Sequence, residues 1–276
     1  MREPMKHTPG PVRIAYETTG TGTPVVLVMG FSGPGLAWAS QIQRLSHQHE
    51  VIWFDNRGVG QSDAPLHFYS TRRMATDVIN LLDHLELPNA HIVGVSMGGM
   101  IAQELALQYR HRVRSLGLIA THPGGIQAWL GAAKPQGLKL FLQTNTSPPR
   151  SRLEALERLL YTDEYLRDRD PDEVRDTLEA NFGAQAPSWS RIAQAAAVLR
   201  HNTVPRLREL AGLPTLIIKP VEDILIRPSH SDRLAQLIPG ARLAPVSGGH
   251  GLIRECADEV AELLLGHFAG VDADGG

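Results

Sequence analysis

A serine set between two glycines, at residues 94–98 (GVSMG), is the stretch of this chain with the clearest chemical potential. A short apolar run at residues 91–93 precedes it, and a helical pattern follows at residues 100–107. Glycine has no side chain, so the backbone can turn sharply and leave the Ser96 hydroxyl exposed where a strand passes into a helix. Such a hydroxyl attacks a carbonyl once a base removes its proton. We therefore predict that Ser96 is a nucleophile.

The base that serves Ser96 must be chosen among twelve histidines. His250 is favoured because it follows Gly248 and Gly249 directly after the last strand-like run, at residues 243–246, which predicts a flexible loop at the edge where the strands end. His122 follows an earlier strand and is the rival. Because His122 enters a helical segment, it is better suited to lining a pocket.

A carboxylate usually holds the catalytic histidine in the required tautomer. Asp223 follows the strand-like run at residues 215–218 and precedes a predicted crossover helix at residues 231–237. We favour Asp223 for this role. Its neighbour Glu222 is the alternative acid, and a solvated acidic turn without a catalytic role is the second alternative.

Acyl transfer also needs N–H donors for the oxyanion, and backbone amides can supply two. One is the N–H of Met97, directly after the serine, and the other is predicted at Phe31, after the strand at residues 25–29. Gly30 lets the backbone approach, and the Phe31 ring is predicted as a pocket wall. A glycine-rich turn without a catalytic donor is the alternative.

Apolar patterns in the sequence predict the strands and helices that position these residues. Near-continuous apolar runs predict parallel strands covered on both faces; they lie at residues 25–29, 51–54, 92–95, 116–119 and 215–218. Helical patterns alternate with them, including one at residues 74–85, whereas residues 12–17 alternate as in a half-exposed antiparallel edge strand. The fold class predicted is α/β, with a mostly parallel central sheet flanked by helices.

The alternation of strands and helices stops between residues 122 and 212, where several helical patterns are punctuated by prolines. We interpret residues 1–121 as the first part of the core, 122–212 as an inserted helical cap, and 213–276 as the second part with a short flexible tail from residue 271. Aromatic residues of the cap are predicted to reach the substrate, although most apolar cap residues form its own core. The predicted substrate-binding residues are Gly30, Phe31, His122, Gln127, Trp129, Phe141 and Trp189.

Length and composition limit the classes of function that this chain can have. The chain has 276 residues, 42% of them hydrophobic, so it can bury a large core. A net charge of −2 without a basic patch argues against nucleic acid as a partner. The first ten residues lack the apolar core of a signal peptide and no stretch is apolar enough for a membrane span, which predicts a cytoplasmic protein. The single cysteine, Cys256, excludes an internal disulfide and is predicted to be structural; oligomeric state is left open.

The chain resembles members of the α/β-hydrolase fold superfamily over residues 12–269. The resemblance rests on four motifs, at residues 29–31 (MGF), 55–62 (DNRGVGQS), 94–99 (GVSMGG) and 248–250 (GGH). It implies that the 55–62 motif braces a turn near the active site, with Asp55 and Arg57 contributing charge. The strings NRG and SMGGM are similar to those of small esterases, enol-lactonases and polyketide methylesterases. The chain departs from the family pattern at Pro220, where glycine is common, and at Ile224, where proline is frequent.

The predicted function is that of a serine hydrolase that cleaves a small-molecule ester or lactone with an apolar acyl part, uncharged or weakly polar. Neither a metal nor an organic cofactor is expected. A serine at the nucleophile position argues against epoxide-hydrolase or dehalogenase chemistry, which uses a carboxylate. Two alternatives stay open: a C–C bond hydrolase of a diketone-type substrate, and a ligand-binding receptor or scaffold with a hydrolase fold.

Overall fold

One sheet runs through the computed structural model, which describes residues 4–125, 133–183 and 186–274. Within these residues the sheet has eight strands in the order β1-β2-β4-β3-β5-β6-β7-β8. The strands are β1 Lys6–His7, β2 Ala15–Thr19, β3 Pro24–Val28, β4 Glu50–Phe54, β5 Ala90–Val95, β6 Val113–Ile119, β7 Thr215–Pro220 and β8 Arg242–Val246. Strands β3 to β8 are parallel, and β1 and β2 pair antiparallel at one edge. The predicted fold class is thereby confirmed.

Helices cover both faces of the sheet. The α-helices are α1 Ala39–Leu45, α2 Thr71–His84, α3 Met97–Gln108, α4 Pro135–Thr146, α5 Pro149–Leu160, α6 Asp163–Arg167, α7 Pro171–Phe182, α8 Ser188–Arg200, α9 Ser229–Leu237, α10 Leu252–Glu255 and α11 Ala257–Asp274. Helices α2, α3 and α9 bury their apolar residues against one face, and α1 and α11 against the other. Covering on both faces explains why the central strands are continuous apolar runs.

Both ends of the sequence differ from the prediction. The edge position is held by β1, whose Lys6 pairs with Tyr16 of β2. The strand predicted at residues 12–17 is therefore second in the sheet, and it begins at Ala15 instead of residue 12. A two-residue strand of polar side chains leaves no apolar signal. Within the predicted flexible tail, residues 271–274 are helical, and the Asp272 carboxylate accepts a hydrogen bond from Arg114 Nε at 2.5 Å.

Helices α4 to α8, which we call the inserted helices, occupy the segment between β6 and β7 where the sequence predicts a cap. They form apolar clusters of their own, centred on Leu153, Leu178 and Leu159. None of the helices in the described ranges combines the length and apolarity needed to cross a membrane.

Buried neutral histidines make the stability of this fold depend on pH. Burial lowers the pKa of His91 and His122 to about 4 and that of His201 to about 3. Because the unfolded chain takes up these protons near pH 6.5 and the folded chain only well below it, stability is full above pH 6.5 and falls as the pH is lowered. Each such histidine adds a slope of about 1.4 kcal/mol per pH unit in this range.

We therefore expect His201→Asn to lower the slope of the unfolding free energy against pH by about 1.4 kcal/mol per pH unit, because one proton fewer is taken up on unfolding. Asparagine can retain the hydrogen bond that His201 Nδ1 makes with Thr71 Oγ1 at 3.1 Å. Urea unfolding at pH 7.5, 6.5 and 5.5 measures the slope, and substitution of the exposed His47 by asparagine is the control. An unchanged slope in His201→Asn would show that His201 is not a neutral buried group.

Candidate active site

Ser96 occupies a strained turn between β5 and α3. Its backbone has φ 55° and ψ −123°, in the left-handed region that side chains other than glycine rarely adopt. The turn is fixed by a hydrogen bond from the Ser96 N–H to the Ile119 carbonyl at 2.9 Å and by Thr121 Oγ1, which donates to the Ser96 carbonyl at 2.7 Å. A Cβ atom at Gly98 would collide with the Val28 carbonyl, so the close approach of helix to sheet requires glycine there.

His250 and Asp223 form a buried pair at the same edge of the sheet. His250 Nδ1 and Asp223 Oδ2 are 2.7 Å apart, and the Asp223 side chain is fully buried. The other carboxylate oxygen of Asp223 accepts the N–H groups of Leu225 at 2.7 Å and Ile226 at 2.9 Å. With Nδ1 held in this way, Nε2 is the ring nitrogen left for chemistry. The side chain of Glu222 is exposed, so the geometry favours Asp223 as the orienting acid.

One cavity of about 410 Å³ brings most of the predicted site residues together. Its lining is mainly apolar and is contributed by the strand ends, by the loop after β3 and by the inserted helices. The predicted residues found in the lining are Gly30, Phe31, Ser96, Met97, His122, Phe141 and His250. Asp223 lies behind His250, in contact with its ring.

The loop that follows β3 passes directly beside the serine. A Cβ atom built on Gly30 would lie 3.1 Å from Ser96 Cβ and 3.6 Å from Ser96 Oγ, so a side chain here would crowd the serine. The Phe31 ring packs against Phe141 with centroids 5.6 Å apart. On the other side, the N–H of Met97 belongs to the first turn of α3, where no helical carbonyl is available to accept it.

His122 lines the cavity in a neutral state. Its Nδ1 accepts the backbone N–H of Gly124 at 3.0 Å, in place of the carboxylate contact that His250 makes. Its ring is 5.5 Å from that of His230 and 6.3 Å from that of His201. These contacts favour a pocket residue over a general base.

Trp189 is a predicted substrate-binding residue that the structure does not bring to the cavity. It packs edge-on against Tyr69, with centroids 6.4 Å apart, and does not occur in the described lining, in contrast to the prediction. The reason is helical phase: α8 presents Arg191, Ala195 and Val198 to the cavity, and Trp189 is on another side of the helix. Two other predicted contacts, Gln127 and Trp129, lie outside the described residues.

The 55–62 motif braces the loop beside the serine. Asp55 accepts the N–H groups of Gly35 at 2.8 Å and Gln61 at 2.9 Å, and Asn56 Nδ2 donates to the Met29 carbonyl at 2.8 Å. The resemblance implies that Arg57 braces the same turn. Its guanidinium instead pairs with Asp77 of α2, Nε to Oδ2 at 2.6 Å, within the protein interior.

Gln194 is a residue that sequence reasoning missed. Its side chain is fully buried; Oε1 accepts the N–H of Ser32 at 2.9 Å and Nε2 donates to the Arg57 carbonyl at 3.0 Å. One amide therefore ties inserted helix α8 to both loops beside the active site. A glutamine in an alanine-rich helix carries no sequence signal for such a role.

For the ester hydrolysis predicted from the sequence, Gln194→Met is expected to lower kcat by about tenfold, because it leaves the Ser32 N–H without its acceptor and loosens the loop that carries Phe31. KM should change less than kcat, since the cavity lining is retained. Steady-state kinetics test this, and the matched control is Gln43→Met, which makes the same change at an exposed position of α1. Equal kinetics for both variants would rule out positioning by Gln194.

Cys256 adds no reactive group to the site. Cys256 Sγ donates to the Ser247 carbonyl at 3.0 Å, and burial raises the pKa of its thiol to about 12. These features fit the structural role predicted for it. Across the described ranges, no three His, Cys, Asp or Glu side chains are grouped as a metal site would require.

Comparisons with known proteins agree with this architecture. A family model described as the alpha/beta hydrolase fold matches residues 23–255. The chain is 30% identical to the RutD protein of Azorhizobium caulinodans, named for carbamate hydrolysis, over 95% of this chain and 97% of that protein.

Two solved structures illustrate the range of chemistry among similar proteins. A thermophilic esterase from Thermogutta terrifontis has a TM-score of 0.79 and 26% identity, covering 98% of this chain and 99% of its own. A meta-cleavage product hydrolase from Pseudomonas fluorescens IP01 has a TM-score of 0.81 and 28% identity, covering 97% and 98%. Given the family model and these relatives, the chain belongs to the alpha/beta hydrolase fold family.

Proposed function

We propose that this protein is a serine hydrolase that cleaves a carboxylic ester or lactone through Ser96, His250 and Asp223. The observation that carries the proposal is the pairing of His250 with the buried Asp223 at the rim of the cavity into which the strained Ser96 turn opens. Strain at a non-glycine residue is typical of functional sites. A lactone is a cyclic ester, so the same groups act on either substrate.

We propose one catalytic cycle for these groups. His250 Nε2 takes the proton of Ser96 Oγ, which attacks the carbonyl carbon, and the N–H groups of Phe31 and Met97 bind the oxyanion. Asp223 stabilises the imidazolium. Collapse of the tetrahedral adduct transfers the His250 proton to the departing alcohol and leaves an acyl group on Ser96. A water activated by His250 then releases the acid.

The inserted helices support a substrate with an apolar acyl part. They supply Leu138, Phe141, Leu156 and Phe182 to the cavity wall. These apolar side chains bind an apolar group more favourably than a strongly hydrated one. We propose that residues 122–212 act as the cap that sets specificity over a core formed by residues 1–121 and 213–276.

A panel of para-nitrophenyl esters, lactones and diketones tests the function, with products identified by mass spectrometry. We expect nitrophenol release to depend on Ser96, and with esters whose acyl group is released more slowly than it is loaded we expect a burst of nitrophenol followed by slower turnover. Cleavage of diketones alone would instead establish the C–C hydrolase alternative. Stoichiometric binding without multiple turnover would establish a ligand-binding protein.

A further inference from the structure

Two arginines of the inserted helices line the cavity that Ser96 and His250 also line. Arg152 belongs to α5 and Arg191 to α8. We propose that they form a subsite for a carboxylate group of the substrate, so that the ester or lactone is an anionic molecule with a free carboxylate beyond its apolar part. This inference rests on the proposed function and replaces the uncharged substrate expected from the sequence.

Arg191 supplies the clearest sign of a missing acceptor. Its Nε is buried and makes no hydrogen bond to any residue in the described ranges. A buried N–H without an acceptor is costly, and the cost is greater for a charged group. Other atoms of Arg191 line the cavity, and its planar guanidinium matches a ligand carboxylate in geometry.

Arg152 adds a second positive charge at the same wall. Arg152 is 7% exposed, and its terminal nitrogens donate to the carbonyls of Phe182 at 2.8 Å and Gly183 at 3.1 Å. These carbonyls fix the guanidinium but carry no net charge. Burial and, secondly, the charge of Arg191 lower the pKa of Arg152, as expected for two cations that share one region.

No Asp or Glu occurs among the described residues that line the cavity. The third arginine of the lining, Arg254, differs because it donates to Thr177 Oγ1 at 3.0 Å and lies 3.8 Å from the carboxylate of Glu173 on α7. The walls near Arg152 and Arg191 therefore present positive charge to any ligand inside. An apolar cavity with this charge favours an amphiphilic anion.

Two esters of similar length test the subsite: mono-para-nitrophenyl glutarate, which carries a carboxylate, and para-nitrophenyl hexanoate, which does not. We expect Arg191→Gln to reduce the ratio of their kcat/KM values, glutarate over hexanoate, by about tenfold to hundredfold, mainly through a higher KM for the glutarate. The matched control is Arg150→Gln, which removes an exposed arginine two residues before Arg152 and should leave the ratio unchanged. The same ratio in Arg191→Gln and the wild type would overturn the proposal.

Binding measured without turnover separates this proposal from the proposed function. Calorimetry of monomethyl glutarate with Ser96→Ala should show binding that weakens by a similar factor when Arg191→Gln is added. If that binding is found while no ester is hydrolysed by the wild type, the carboxylate subsite stands and the proposed function fails. If the wild type hydrolyses both esters equally well and monomethyl glutarate does not bind, the subsite fails and the function stands.

Discussion

Substitution Ser96→Ala is expected to reduce kcat for ester hydrolysis by about 10⁶-fold, while the substrate still binds. The methyl group of alanine removes the nucleophile and leaves the cavity wall and the N–H groups of Phe31 and Met97 in place. Residual catalysis of about 10³-fold over water is expected from these donors and from binding alone. Steady-state kinetics with para-nitrophenyl butyrate measure the loss.

The control for this variant is Ser46→Ala, at the end of α1, which should retain wild-type kinetics. A Ser96→Ala protein that keeps more than about a hundredth of the wild-type kcat would contradict a nucleophilic serine, since removal of a nucleophile costs far more. Circular dichroism and the unfolding midpoint establish that each variant is folded before kinetics are compared.

Substitution Asp223→Asn is expected to reduce kcat by about 10⁴-fold. The asparagine amide can present N–H to His250 Nδ1, which favours the tautomer with its proton on Nε2 and so leaves no base for the Ser96 hydroxyl. The backbone N–H groups of Leu225 and Ile226 can still bond to the asparagine oxygen, so the loop should keep its shape.

Glu222→Gln provides the comparison that distinguishes the two candidate acids. Because the Glu222 side chain is exposed, its substitution should change kcat by less than about twofold. A large loss in Glu222→Gln together with a small loss in Asp223→Asn would reverse the assignment of the acid.

Local pattern was sufficient to predict the central strands and the serine turn. Apolar runs identified β3 to β7 because these strands are covered on both faces, and glycines at 94 and 98 identified the turn because a Cβ atom would collide there. Family departures at Pro220 and Ile224 do not prevent the contact between Asp223 and His250, whose side chains are 2.7 Å apart.

Long-range contacts were not predictable in this way. Gln194 meets Ser32 across 162 residues of sequence, and Arg57 pairs with Asp77 on a helix that its own motif does not include. Trp189 shows the same limit, because the rotation of α8 against the sheet decides which residues face the cavity. Arg152 and Arg191 belong to separate helices, α5 and α8, and only the folded chain brings both to the lining of one cavity.

The most direct test of the proposed triad is intact-mass analysis after treatment with a fluorophosphonate probe, which reacts with an activated serine. The wild type should gain the mass of one probe, mapped by peptide analysis to the segment that contains Ser96, and Ser96→Ala should gain none. Labelling that persists in Ser96→Ala would contradict Ser96 as the nucleophile.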